Sequence, residues 1–282
     1  MRYSTLLVPG RGETVAAVSP DGARYLPLDG TGSLAERLGS PLPRVDADWE
    51  TAPRISDVRF LPVIPRPGAL WCVGLNYEDH RLETGRAKAD YPTLFTRFPA
   101  SLLGHGEALV RPSVSRLLDY EAELAVVIGR PGRHISEADA LDHVAGYACF
   151  NDASVRDYQG HSSQFGPGKN FWRTGGFGPF LVTPDEVPDP QDLSIGTRLN
   201  GEVVQASHTS QMTYPVRELI AYLSRIHPLY PGDVIATGTP SGVGVARDPQ
   251  LFMKPGDTVE VEIGQVGLLR NGIVDETDAL GQ

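Results

Sequence analysis

Short apolar stretches alternate with turn residues through the first 60 positions: TLLV, TVAAV and RYLPL each lead within a few residues into Pro, Asp or Gly. That rhythm predicts short strands joined by tight turns. A proline-containing segment from Pro41 to Pro67 follows and reads as a linker. At Ala69 the pattern changes. ALWCVGL is a continuous apolar run closed by Asn76, the signature of a strand covered on both faces that leads into a loop or short helix. In TRLNGEVVQ, Asn200-Gly201 separates two strand-like runs and predicts a two-residue hairpin, because both turn residues must take positive φ. TVEVEIG is another alternating strand. Helical periodicity is confined to residues 136–144, 153–159 and 214–226, the last carrying Val216, Leu219, Ile220 and Leu223 on one face. The expected fold class is α+β and β-dominated, with a small N-terminal β domain and linker over 1–62 and the main domain over 63–282.

The run DYEAELAVVIGR, residues 119–130, changes the picture from architecture to chemistry. With period two, Tyr120, Ala122, Leu124, Val126 and Ile128 share one face, and Asp119, Glu121, Glu123, Ala125 and Val127 share the other. Both faces turn apolar from Ala125 onward, so the strand enters a buried sheet with its acidic end leading. Glu121 and Glu123 would stand about 7 Å apart, and at an effective dielectric of 20 would repel by about 2.4 kcal/mol. A positive partner should offset that: a divalent cation, or a cationic side chain such as Arg97 or Lys169. A half-solvated strand is the bland alternative. Asp152, at the end of VAGYACFND, can supply a third oxygen ligand or can simply cap the helical stretch that follows. An all-oxygen set suits Mg²⁺ or Mn²⁺ rather than structural zinc.

Composition narrows the partners. The 282 residues are 40% apolar with a formal net charge of -10, enough for a sizeable core and the wrong sign for a nucleic-acid backbone. Glycine (31) and proline (24) are abundant, which fits many strands and turns. MRYSTLLVPG has no basic segment before a long apolar stretch, and no run approaches bilayer length; the expectation is a cytoplasmic protein with no membrane partner. Cys72 and Cys149 each lie inside an apolar stretch and read as core residues rather than a disulfide.

Five blocks in order, CVGLNYEDH, LDYEAELAVVIG, FNDASVRDYQ, PGDVIATGTPSGVG and KPGDTVEVEIG, closely resemble the fumarylacetoacetate hydrolase superfamily over about residues 60–275. The resemblance implies a mixed β-roll with flanking helices, a homodimer, and metal ligands at Glu121, Glu123 and Asp152. It implies a His-x-x-Glu pair at His80 and Glu83 on a segment that orders over bound substrate. It also implies a lysine at Lys169, and substrate-facing positions at Arg97, Gln159 and Thr239. TGTPSGVG lacks the spacing of a phosphate-binding loop and reads as a turn bringing backbone and Thr239 to the site. One departure stands out: many relatives carry Asp two or three positions past the KGF-like element, where this chain reads NFWRTGG with Trp172 and Arg173.

The expected activity is hydrolysis of a carbon-carbon bond in an acylpyruvate or related 2,4-dioxo acid. In it a cation grips the oxo acid, His80 oriented by Glu83 activates water, and Lys169 steadies the departing enolate. Decarboxylation or isomerisation of an oxo diacid is the alternative within the family. A non-catalytic dioxo-acid binding protein, or a purely structural carboxylate strand, are the alternatives outside it.

Overall fold

Strand signals come from β-branched and apolar residues at alternate positions, and the computed structural model, which describes residues 1–30 and 32–280, places strands where that pattern runs. In chain order they are β1 (Arg2–Val8), β2 (Gly12–Val18), β3 (Tyr25–Pro27), β4 (Leu70–Gly74), β5 (Thr93–Thr96), β6 (Leu109–Arg111) and β7 (Ala122–Ile128). After them come β8 (Val144–Asp152), β9 (Gly175–Val182), β10 (Ser194–Leu199), β11 (Glu202–His208), β12 (Val234–Ala236), β13 (Thr258–Ile263) and β14 (Gly267–Asp275). Four helices matter below: α1 (Glu78–Glu83), α2 (Arg156–Gln159), α3 (Gly166–Lys169) and α4 (Val216–Ile226).

An eleven-stranded sheet runs in the order β3-β2-β1-β9-β8-β7-β12-β4-β5, with two-residue strands added at β1 and β9. The segment 1–62, expected as a small β domain and linker, contributes β1–β3 to this sheet: Arg2 and Tyr3 of β1 pair with Val182 and Leu181 of β9. A five-stranded sheet, β11-β10-β13-β14-β6, covers one face. Leu124, Val126 and Ile128 of β7 pack there with Ile195, Val261, Ile263 and the apolar stripe of α4. Ala125 and Val127, pointing the other way, join Leu34, Val63, Phe150 and Phe177. Every residue of β7 is buried, as a strand that is apolar on both faces requires.

The Asn200-Gly201 hairpin joins β10 to β11 with φ of 53° and 85°. The amphipathic stretch 214–226 becomes α4, starting after Pro215, which cannot sit inside a helix without losing a hydrogen bond. Residues 136–144 differ from expectation. Only a short 3₁₀ turn forms, Ala140–His143, because Val144 already belongs to β8 and its pairing with β7; tertiary pairing overrides local helix propensity there. Residues 153–159 likewise yield one helical turn, α2, preceded by an extended Ser154–Val155 pair.

Candidate metal centre and substrate cavity

β7 and β8 run antiparallel with Glu123 opposite Phe150, so Asp152, two residues further along β8, lies on the same face as Glu123. The chain leaves ladder pairing at Tyr120-Glu121, yet the Glu121 carbonyl still accepts the Asp152 backbone N–H at 2.9 Å. Glu121, Glu123 and Asp152 are thereby gathered, all buried, with one carboxylate oxygen from each within 4.8 Å of the others. Asp152 caps no helix: it ends β8, and the residue at the N-cap of α2 is Val155.

The surrounding charges are arranged unevenly. Lys169, at the end of α3, places Nζ 2.6 Å from Glu121 Oε2 and 2.5 Å from Asp152 Oδ2. Arg97 Nη1 is 2.6 Å from Asp152 Oδ1. Arg156 on α2 spans two acids, with Nη1 2.7 Å from Glu121 Oε1 and Nε 2.8 Å from Asp119 Oδ2. Four carboxylates therefore face three cationic side chains, and Glu123 is the one left without a cation. Among the described residues it has no ion-pair partner, only the Gly238 N–H donating to Oε2 at 2.9 Å.

Acidities follow that arrangement. Burial pushes the Glu121 carboxyl up, but the Lys169 and Arg156 charges outweigh it and hold the group below the usual carboxylate range. For Glu123, burial and the negative charges of Asp152 and Glu121 act together and push it well above that range. Burial also disfavours the Lys169 ammonium, yet Asp152 and Glu121 raise it on balance, so Lys169 stays charged. The three carboxylates offer hard oxygen ligands with no thiolate or imidazole in the triad, which fits a hard cation. The buried triad can bind a divalent metal.

The glycine-rich loop after β12 holds the carboxylates by its backbone. Gly238 serves Glu123, the Gly242 N–H donates to Glu83 Oε2 at 2.9 Å, and the Gly244 N–H donates to Asp119 Oδ1 at 2.8 Å. Gly238 and Gly242 take φ of 101° and 100°, and a Cβ on Gly242 would meet the Val204 carbonyl at 2.3 Å; only glycine fits there. No phosphate cradle is formed by these donors: they are already committed to side-chain carboxylates.

On the opposite wall, His80 Nδ1 and Glu83 Oε1 are 2.7 Å apart within α1. Three residues apart on a helix, they share a face. With Glu83 accepting the Nδ1 proton, the His80 Nε2 lone pair is left free. His80, Glu83, Glu121, Glu123, Arg156 and Lys169 border one cavity of about 320 Å³.

Gln159 and Thr239 border it too, the first accepting from Arg156 Nη1 at 2.9 Å and the second from Gln205 Nε2 at 2.9 Å. Arg97 does not. It sits behind the cluster, buried against Asp152, Ser101, Thr174 and the Ala153 carbonyl, where it holds a carboxylate. Trp172 and Arg173 also stand off the cavity wall; Arg173 pairs with Glu107 at 2.6 Å. A groove of about 1280 Å³ between the N-terminal strands and β14 is larger, but none of these carboxylates lines it, so size does not select the site.

Sequence reasoning passed over Arg156 and Asp119 as partners, and over the glycine N–H donors. The available signal for Arg156 was its place four residues after Asp152, in the block already singled out. Its Nη2 is buried and has no hydrogen-bond partner, an expensive state for a guanidinium nitrogen at a cavity.

Comparison with known proteins agrees with this geometry. Residues 69–274 match the family model described as fumarylacetoacetate (FAA) hydrolase C-terminal. The human mitochondrial oxaloacetate tautomerase FAHD2A is 45% identical over 221 residues, 78% of this chain and 70% of that protein. A solved fumarylacetoacetate hydrolase from Exiguobacterium antarcticum superposes with a TM-score of 0.86 at 36% identity, covering 98% of this chain and all of that one. The 5-carboxymethyl-2-hydroxymuconate delta-isomerase from Mycobacterium smegmatis gives 0.80 at 30% identity, covering 98% and 99%. No helix among the described residues is long and apolar enough to cross a membrane. With the carboxylate triad, the His80–Glu83 pair and a match over most of its length, this chain belongs to the fumarylacetoacetate hydrolase family, a family of enzymes.

Proposed function

We propose that this chain is a divalent-cation-dependent enzyme of 2-oxo acids whose reaction is proton transfer at the carbon beside the oxo group, namely keto-enol tautomerisation of oxaloacetate or a near relative. The observation that carries this reading is an oriented histidine that shares one cavity with buried cationic side chains: His80 on one wall, Arg156 and Lys169 on the floor. Identity of 45% to a protein named oxaloacetate tautomerase supports the choice among the family's reactions.

Mg²⁺ or Mn²⁺ held by Glu121, Glu123 and Asp152 would supply Lewis acidity toward the oxo acid. His80 Nε2 takes the proton from C3, with Glu83 fixing the ring and stabilising the imidazolium that forms. Charge moves to the 2-oxo oxygen, where Arg156 Nη2 is the protein's free donor and the Lys169 ammonium, its three N–H bonds held by Glu121 and Asp152, adds only its positive charge. The imidazolium returns its proton to that oxygen, giving the enol with no atom lost. Gln159 and Thr239, which border the same cavity, orient the substrate.

Hydrolysis of an acylpyruvate is the second reading, favoured by the same histidine-glutamate pair: His80 Nε2 would take a proton from water instead of C3, and cleavage would yield pyruvate and a carboxylic acid. Incubating the Mg²⁺ and Mn²⁺ forms with enol-oxaloacetate and with acylpyruvates separates them. Expected is faster loss of enol absorbance with unchanged substrate mass, abolished in His80→Ala with cation content retained. Pyruvate plus a carboxylic acid would transfer the assignment to hydrolysis, release of carbon dioxide to decarboxylation, and no change with any substrate would refute the enzyme reading.

A further inference from the structure

α1 ends in a turn that fixes one more cation at the cavity. Thr84 Oγ1 donates to the His80 carbonyl at 2.9 Å, Gly85 takes φ of 65°, and the Arg86 N–H donates to the Arg81 carbonyl at 3.2 Å. The side chain of Arg81, held in turn by Glu78, donates to the Arg86 carbonyl. Arg86 is therefore set at a fixed offset from His80 by the same short element. Its guanidinium lies over the Phe165 ring, 5.7 Å from the centroid, and both side chains border the cavity. Among the described residues Arg86 has no carboxylate partner, whereas Arg81 on the same segment is paired with Glu78, and Arg97, Arg156 and Lys169 are all paired with the floor. A cation–π contact of this kind holds the exposed guanidinium at the cavity mouth without using its N–H donors, which stay open to an oxyanion.

We propose that Arg86 reads a second carboxylate on the substrate, one remote from the 2-oxo acid end, and so selects dicarboxylic 2-oxo acids over those with a neutral tail. Substrate would then span the cavity, with its 2-oxo acid end on the floor and its distal carboxylate in charge-assisted hydrogen bonds to Arg86. Arg86 is a specificity residue, and the inference deepens the reading above by naming the substrate class.

Binding of ligands without a C3 proton tests it independently of that reaction. The Mg²⁺-loaded protein is titrated calorimetrically with 3,3-difluorooxaloacetate, which has both carboxylates, and with trifluoropyruvate, which lacks the distal one. Wild type should prefer the first. Arg86→Met, which keeps an apolar stem on Phe165, should weaken difluorooxaloacetate by about tenfold or more and trifluoropyruvate by less than about twofold, and Arg86→Lys should recover part of the loss. Equal weakening of both ligands, no weakening of either, or no preference in wild type would overturn the inference. Preference retained by a protein that turns over no oxaloacetate would sink the tautomerase reading and leave Arg86's role standing.

Discussion

At the cavity floor, Glu121 and Glu123, with Asp152 buried behind the lining, sit at the ends of two paired strands, β7 and β8, packed on both faces and tied by three buried cations and a glycine loop. On the facing wall, His80 and Glu83 ride on a six-residue helix of which only His80 is buried, beside Leu82 at 62% exposed. In the proposed reaction the floor fixes charge and the wall supplies the base. The carboxylates are built into the sheet, while the base proposed for the reaction sits on an element with little of its own packing, the usual place for a segment that adjusts on binding.

That contrast can be broken from the floor side first. Glu121→Ala strips the acceptor from Lys169 and Arg156, both buried, and should destabilise the cation-free protein by about 3–5 kcal/mol; an unchanged urea midpoint would show that the floor is not held by its ion pairs. His80→Ala should cut turnover by about 10²–10⁴-fold while cation content and unfolding midpoint stay close to wild type, since α1 adds little to the core. A large fall in the midpoint would erase the distinction between the two sides. Gly242→Ala links them: its strained φ and the Val204 carbonyl should cost about 1–3 kcal/mol and, by withdrawing the donor from Glu83, lower kcat more than KM rises. Smallest is Leu82→Ala on the outer face of α1, expected within about 0.5 kcal/mol of wild type by thermal melting.

The floor was legible in the sequence because strands repeat every two residues: Glu121, Glu123, Ala125 and Val127 do share a face, and the apolar continuation does bury them. The need for a positive partner was legible too, though the structure answers it unequally, with three cations on Glu121 and Asp152 and none on Glu123. The wall was not legible from periodicity, because one and a half helical turns carry no pattern; only the resemblance marked His80 and Glu83. Arg97 was placed with substrate by that resemblance, yet packing against Ser101 and Thr174 fixes it behind Asp152. Segment 136–144 shows the complementary limit: a helix-like string loses to a neighbouring strand when Val144 has a ladder to join. Arg86 was passed over because its partner, Phe165, lies 79 residues away, and no local rule connects the two.

Glu123, the carboxylate left without a cationic partner, is the one whose ionised form a divalent cation would stabilise. Titrating metal-free protein with Mn²⁺ by calorimetry, for wild type and Glu123→Gln, tests it most directly. The account predicts one cation per wild-type chain, and a Glu123→Gln protein whose affinity falls by about 100-fold or more while its cation-free unfolding midpoint is no lower than that of wild type. No cation bound by wild type, or wild-type affinity in Glu123→Gln, would contradict it.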